Sequence, residues 1–394
     1  MTFVETILSQ MSSVAKPQFK FLCSMFTAFF CFRGKANMTN LHRYGAPNPR
    51  TQARWNQRDF DWADFNLKLI DSTDIAGNRL AAAIDSSFIP KSGTETFGLG
   101  KFYNGCLGRT QRGLEVSLLA LVDLDESRAW AIDARQTEPK LPEGQTRTDF
   151  YLEQVRQEAG FFPPEVRHLL ADSFYAKVKF VNGVCDEVGW DIVSKLRSDA
   201  NLKYLYTGPK ENRRGRPRKY DGKVFFDDLS RWTRLGADEN GLEYFEVVAW
   251  GVSFKRAIKV VCVRKRKGNK VARVLLFSTD TELDGMELVR MYRSRFQIEF
   301  IFRDAKGYTG LCDGQMRSRK GLHHHFNLSL AALNVLRLEQ RALGHHVFSL
   351  ASAKRRKYNE LLINHIFEQL GLDPLDENIA PHLDGLRDFG VLAA

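Results

Sequence analysis

Hydrophobic and polar positions change their period several times along the chain. From residue 79, RLAAAIDSSFI is an apolar run interrupted by one carboxylate, and GLEVSLLALVDLD followed by RAWAIDARQT gives two long apolar stretches around a turn. Aliphatic runs of this length bounded by turn residues predict buried strands, here one strand and a hairpin. TDFYLEQVRQEA then has apolar residues at helical spacing, RHLLADSFY returns to a short strand, and a helix and the strand WDIVSKLRSD follow. Before residue 79 the pattern is helical, with MTNLHRYG and WADFNLKLI as helices and APNPRTQ as a loop between them. The dozen apolar residues FLCSMFTAFFCF lie between Lys20 and Arg33. They fall short of the ~20 needed to span a bilayer, so they predict a buried helix and no membrane association.

Residues 200–280 are strand-rich, and IKVVCVRKRKGNKVARVLLF reads as two strands around a Gly-Asn turn. Residues 283–306 predict one continuous helix, and 321–394 read as mostly helical. Strand, hairpin, helix, strand, helix, strand, and much later another helix is the order of a ribonuclease H-like fold. The expected class is therefore α/β, with a mixed sheet, a β-rich insertion before the last catalytic helix, and helical N- and C-terminal regions. The expected divisions are 1–78, 79–199, 200–280, 281–340 and 341–394, the first of them helical.

Composition adds a partner. A chain of 394 residues with 43% apolar and 27% charged residues is ordinary for a soluble protein, but its formal charge is +11. Residues 195–273 hold 21 Lys and Arg against nine Asp and Glu, an excess of twelve that accounts for the whole surplus. Charge this concentrated predicts a polyanionic partner. Within it, RRGRPRK resembles an arginine hook for the DNA minor groove, through Arg214, Arg216 and Arg218. Six scattered cysteines without a CxxC pair predict reduced thiols in a cytosolic protein.

The chemistry follows from three carboxylates. Asp85 in AAAIDSSF and Asp172 in LLADSFY each interrupt an apolar strand and precede Ser and an aromatic residue. An ionised carboxylate there is costly unless it is paired or binds a cation, and hard oxygen ligands suit Mg²⁺ or Mn²⁺. A solvated turn at a strand end is the competing reading for either Asp alone. Asp123, Asp125 and Asp133 sit in or beside turns with more polar neighbours and rank lower. In MYRSRFQIEFIFRDAK, residues 291–306, a 100° step per residue puts Tyr292, Arg295, Glu299, Arg303 and Lys306 within an arc of roughly 80°. Met291, Ile298, Ile301, Phe302 and Ala305 form the adjoining apolar stripe. The charged stripe alone is equally compatible with a solvated face.

Tyr292, Arg295, Glu299 and Lys306, at intervals of three, four and seven, reproduce the Y-(2)-R-(3)-E-(6)-K signature. The chain thus resembles the DDE-type insertion-sequence transposases of the bacterial cut-and-paste group over about residues 80–340. The resemblance implies that Asp85, Asp172 and Glu299 bind two Mg²⁺ ions, with Mn²⁺ able to substitute. It also implies that Tyr292, Arg295 and Lys306 grip phosphates beside the scissile bond, with Arg303 as a further phosphate contact. Double-stranded DNA would be the partner, both as terminal inverted repeats, bound by a helix-turn-helix-like DNA-end-binding region in residues 1–78, and as target, held by a homodimer in a synaptic complex. The expected location is the bacterial cytoplasm, on the nucleoid when DNA is bound. Similar enzymes with a hairpin step stack an unpaired base on an aromatic residue of the insertion, for which Trp250 and Trp232 are candidates. His323, His324 and His325 point apart on a helix and read as ordinary helix histidines. A DNA-binding regulator that has lost the chemistry and a ribonuclease H-like nuclease are the alternatives.

Overall fold

A computed structural model describes residues 2–73, 77–209, 217–268, 270–342, 349–373, 376 and 379–392. Among these, five helices precede the first strand: α1 (Phe3–Gln10), α2 (Lys16–Cys31), α3 (Met38–His42), α4 (Pro49–Trp55) and α5 (Trp62–Asp71). α2 contains the predicted apolar segment and buries Phe21, Leu22, Met25, Phe26 and Phe29 in the common core. Among the described residues no helix is long and apolar enough to cross a membrane. The predicted loop 46–52 is a loop only at its start. Asn48 accepts the Thr51 amide at 3.0 Å and Pro49 occupies the first turn, so the Asn-Pro pair starts α4.

The sheet begins with β1 (Leu80–Pro90), β2 (Gly100–Asn104), β3 (Arg109–Asp123) and β4 (Arg128–Gln136). Helix α6 (Arg147–Glu158), β5 (His168–Leu170), α7 (Val178–Gly183) and β6 (Asp191–Lys195) follow. β4, β3, β1, β5 and β6 lie side by side in that order. β3 is antiparallel to β1 and β4, whereas β1, β5 and β6 are parallel. This is the predicted ribonuclease H-like mixed sheet.

The basic stretch supplies β7 (Leu202–Leu205), β8 (Tyr220–Lys223), β9 (Thr233–Ala237), β10 (Leu242–Gly251), β11 (Arg256–Lys267) and β12 (Lys270–Ser278). These strands extend the same sheet, because β12 pairs antiparallel with β6 from Leu276↔Lys195 to Ser278↔Val193. β11 and β12 form the predicted hairpin, closing at Lys267↔Lys270. The remaining helices are α8 (Gly285–Ser294), α9 (Phe296–Tyr308), α10 (Arg319–Ala342), α11 (Leu350–Leu370) and α12 (Ala380–Arg387).

The free edge of β4 would expose unpaired backbone groups, and α10 covers it. Asn327 and Asn334, seven residues apart and so on one helix face, each pair with one β4 residue through both amide atoms. Asn327 bonds the N–H and C=O of Ala134, both at 2.9 Å. Asn334 bonds those of Ala131 at 3.1 and 2.8 Å and donates to Asn66 Oδ1 at 2.9 Å. A buried asparagine side chain thus imitates a neighbouring strand at two points. Asn334→Leu, which strands three buried polar groups, is expected to lower stability by about 3 kcal/mol in denaturant unfolding. A change below ~0.5 kcal/mol would mean that the edge is satisfied without it.

Candidate active site

The first two carboxylates are placed by strand register. In the parallel pair β1/β5, Ala83 lies opposite Leu170. Two residues onward, Asp85 continues β1 and Asp172 lies just past the end of β5, near enough for its charge to act on the Asp85 carboxyl. Beyond β5 the chain turns: Asp172 Oδ1 accepts the Phe174 amide at 2.7 Å and its carbonyl accepts Ser194 Oγ at 2.9 Å. Asp85 Oδ1 accepts the Ser86 amide at 2.8 Å.

Glu299 comes from the last helical segment, which is not continuous. α8 ends at Ser294, Arg295 forms a turn, and α9 begins at Phe296. Ile298 N–H reaches Arg295 C=O at 3.1 Å, a tighter turn than an α-helix makes. The predicted apolar stripe is nonetheless intact: Met291, Ile298, Ile301, Phe302 and Ala305 are all buried. Each of the four larger side chains stabilises the docking by about 1.5–3 kcal/mol. α9 is fixed further by buried Asp304, whose Oδ2 meets Arg337 Nη2 at 3.1 Å while Arg337 Nη1 donates to Ala129 C=O on β4 at 2.9 Å.

Arg295 is the hinge of the site in both senses. Only 7% of its side chain is exposed, and its two terminal nitrogens separate: Nη1 lies 3.4 Å from Asp85 Oδ2 and Nη2 lies 2.8 Å from Glu299 Oε1. Its guanidinium also faces the rings of Phe296 and Tyr292, at 4.7 and 5.7 Å from their centroids. Nε is buried without a protein partner. Burial pushes the Asp85 carboxyl up to about 7, against the lowering effect of Arg295 and the Ser86 amide, and the neighbouring Asp172 and Glu299 push the same way as burial. Glu299 is about half exposed, with 46% of its side chain open, so the three acids span a cleft from sheet to solvent.

Lys306 is about two turns beyond Glu299 on α9. Its ammonium donates to Ser87 Oγ at 2.7 Å and to Phe88 C=O at 2.9 Å. Ser87 shares a strand face with Asp85, so Lys306 sits two residues, roughly 6–7 Å, along β1 from the first carboxylate. Tyr292 is half-buried beside Arg295, and burial raises its phenol above the ordinary range.

Other predicted residues fall elsewhere. Arg303 is held by neighbours on its own helix, pairing with Asp304 at 2.9 Å and lying over the Phe300 ring at 4.8 Å. Trp250 is half-buried on β10 and tilted against Tyr220, with ring centroids 5.6 Å apart. Trp232 is buried. Arg218 pairs with Asp221 and lies over the Tyr206 ring at 4.8 Å, while Arg214 and Arg216 lie outside the described residues. His324 and His325 are fully buried, and burial lowers their imidazoles to about 3 and about 4, so both are neutral core residues.

The oxygens of Asp85, Asp172 and Glu299 are not drawn into one tight cluster; Arg295 stands between two of them. Among the described residues, the group whose potential ligand atoms lie within 4.8 Å of one another is His168, Asp191 and Asp280. It stands at the other end of β5 and β6, and its atoms are engaged locally. His168 Nε2 is 3.3 Å from Asp280 Oδ2, and Asp191 Oδ1 accepts Thr279 Oγ1 at 2.7 Å. These residues come from three separate strand ends, so no local motif could have flagged them.

As a donor set the three acids fit a hard divalent cation. Each is a carboxylate oxygen ligand, and Asp85 is a buried carboxyl whose charge the protein compensates only in part. The site is thus a mixed ribonuclease H-like sheet with one acid within β1, a second just past the end of the neighbouring β5, and a third on α9. The chain belongs to the DDE superfamily endonucleases, whose family model matches residues 35–256. That match includes Asp85 and Asp172 and stops before α8, so Glu299 is reached by the signature and the geometry alone. No curated protein matches the chain. A similar solved structure is the piggyBac transposase in a synaptic complex with hairpin DNA, at TM-score 0.42 and 13% identity over 78% of this chain. The chain spans 57% of that transposase's length, and a likeness this distant says nothing of what the chain binds.

Proposed function

We propose that the chain is a cut-and-paste DNA transposase of the bacterial insertion-sequence type. Asp85, Asp172 and Glu299 are its cation-holding set, and double-stranded DNA, as terminal inverted repeats and as target, is its partner. The observation that carries this reading is the register that sets Asp85 beside Asp172, with Glu299 tied to Asp85 through Arg295. Two Mg²⁺ ions, or Mn²⁺ in their place, would stabilise charge on the attacking and leaving oxygens of an in-line displacement. In the first step a water oxygen attacks phosphorus and the bond to the 3′ oxygen breaks, leaving a 3′-OH at the transposon end. In the joining step that 3′-OH attacks a target phosphodiester, so one phosphodiester is exchanged for another. Arg295 keeps Glu299 and Asp85 at fixed separation, and Lys306 places a positive charge beside them for a flanking phosphate. Two copies of the chain would hold two ends.

Proton and cation compete for Asp85. Its carboxyl binds a cation only when ionised, so the Mg²⁺ concentration for half-maximal cleavage is expected to rise about tenfold per pH unit below about 7, and to flatten above it. Stability carries the same signature with the opposite reference. A carboxyl raised by folding takes up a proton in the native state between the ordinary carboxylate range and about 7, so its contribution to stability falls as pH rises through that window. The thermal midpoint of wild type relative to Asp85→Asn, measured in chelator, is expected to fall from pH 5 to pH 7.5, and Mg²⁺ is expected to reverse the fall. A pH-independent difference would remove Asp85 from the cation site.

Strand joining separates this reading from a plain nuclease. A linear DNA ending in the inverted repeats that flank the coding sequence, incubated with supercoiled plasmid and Mg²⁺, is expected to give joined product. Cleavage without joining would make the chain a nuclease of the same fold.

A further inference from the structure

A second basic feature lies beyond the catalytic cleft. The end of α2, the end of α9 and the start of α11 enclose a hollow of about 340 Å³ lined by Arg33, Gly34, Lys306, Asp313, Lys354 and Arg355. Four cations face one acid, and that acid is engaged: Asp313 Oδ2 accepts the Ala36 amide at 2.9 Å. Among the described residues none of the four cations has an ion-pair partner, whereas Arg218, Arg231, Arg256, Arg264 and Arg273 of the basic insertion region each pair with a carboxylate. Crowding like charges without a counter-charge is unfavourable unless an anion completes the site.

The side chains are held in place for such an anion. The Arg33 guanidinium stacks on the Tyr358 ring at 4.2 Å. Lys354 donates to the Phe29 and Tyr308 carbonyls at 3.2 and 2.7 Å, at the ends of α2 and α9, and its ammonium lies 3.5 Å from the Phe32 ring centroid. Burial lowers this ammonium to about 7, and a bound anion would restore its charge. Arg33 and Arg355 are exposed at the rim. Lys306 belongs to both places, bonded to β1 near Asp85 and lining the hollow, so the hollow adjoins the three acids.

We propose that this hollow, framed by Arg33, Lys354 and Arg355 next to Lys306, is a backbone-phosphate subsite that grips the DNA strand as it leaves the catalytic cleft. The proposal rests on the transposase reading for its ligand. It assigns the C-terminal helix α11 and the N-terminal α2 to the substrate path, which no signature residue does.

The test is DNA binding without divalent metal, using a short duplex of arbitrary sequence across a salt series. The double variant Arg33→Ala, Arg355→Ala removes two rim cations and leaves the buried Lys354 in place. A control double variant, Lys16→Ala with Lys140→Ala, removes two exposed charges, Lys16 being at the opposite end of α2. The rim variant is expected to bind at least about tenfold more weakly at low salt, with a log–log salt slope shallower by about 1.8, and the control to change little. Equal losses in the two variants, or none in the rim variant while wild type binds, would overturn the subsite and leave the transposase reading standing. A wild-type chain that binds no DNA would overturn both.

Discussion

Asp85→Asn is expected to reduce metal-dependent cleavage of a transposon end by about a thousandfold or more, because a neutral amide cannot supply the charge that holds a divalent cation against a phosphate. The same variant is expected to fold as well as wild type, or better in chelator. The raised carboxyl shows that ionised Asp85 is a cost to the fold, offset in part by Arg295. Asparagine keeps the oxygen that accepts the Ser86 amide and removes the buried charge. Activity and stability should therefore move in opposite directions, the mark of a residue retained for chemistry. Parallel cleavage assays and denaturant unfolding check this. A variant that loses both together would show Asp85 to be a structural acid.

Arg295→Met has the largest expected effect on the fold. It removes the cation from between Asp85 and Glu299 and leaves a carboxyl at 18% exposure without its main compensation. Breaking a buried pair from one side costs about 3–5 kcal/mol; the exposure of Glu299 places this case near the lower figure. The cost belongs to the uncompensated acid rather than to lost packing, since methionine fills much of the same space between Tyr292 and Phe296. Adding Asp85→Asn to Arg295→Met should thus recover a large part of the loss in unfolding experiments. Additive losses, with no recovery, would mean that the two side chains do not interact in the folded protein. Mg²⁺ should stabilise the single variant more than wild type, because there the cation no longer shares the acids with a guanidinium.

Much of this was legible in sequence because local patterns carried it. Asp85 and Asp172 stood out as lone charges in aliphatic runs, and the strands around them formed as read. The hairpin of β11 and β12 followed from two strand-like runs around a Gly-Asn turn, and the apolar stripe of 291–305 from helical period. What was not legible depended on partners far along the chain. Asn327 and Asn334 are polar residues in an apolar helix, and their meaning appears only when β4, about 200 residues earlier, lies alongside. Arg295 reads from its signature as a phosphate ligand, yet its nearest charges are the acids themselves. The turn there cannot be inferred from an uninterrupted helical pattern, and Arg303 pairs with Asp304, whose own burial depends on the distant Arg337. At Asn48–Pro49 the start signal for α4 was present and its apparent loop composition hid it.

The central claim is that Asp85, Asp172 and Glu299 form one metal-dependent phosphodiester-cleaving site. Its most direct measurement is nicking of a DNA carrying the flanking inverted repeats, in Mg²⁺ and in chelator, by wild type and by Glu299→Gln. Glu299 is half exposed, so its replacement leaves the fold intact. The account predicts nicking at the repeat end by wild type in Mg²⁺ only, and none by Glu299→Gln although it binds the same DNA equally well. Specific binding without cleavage by either protein, or undiminished cleavage by the variant, would contradict it.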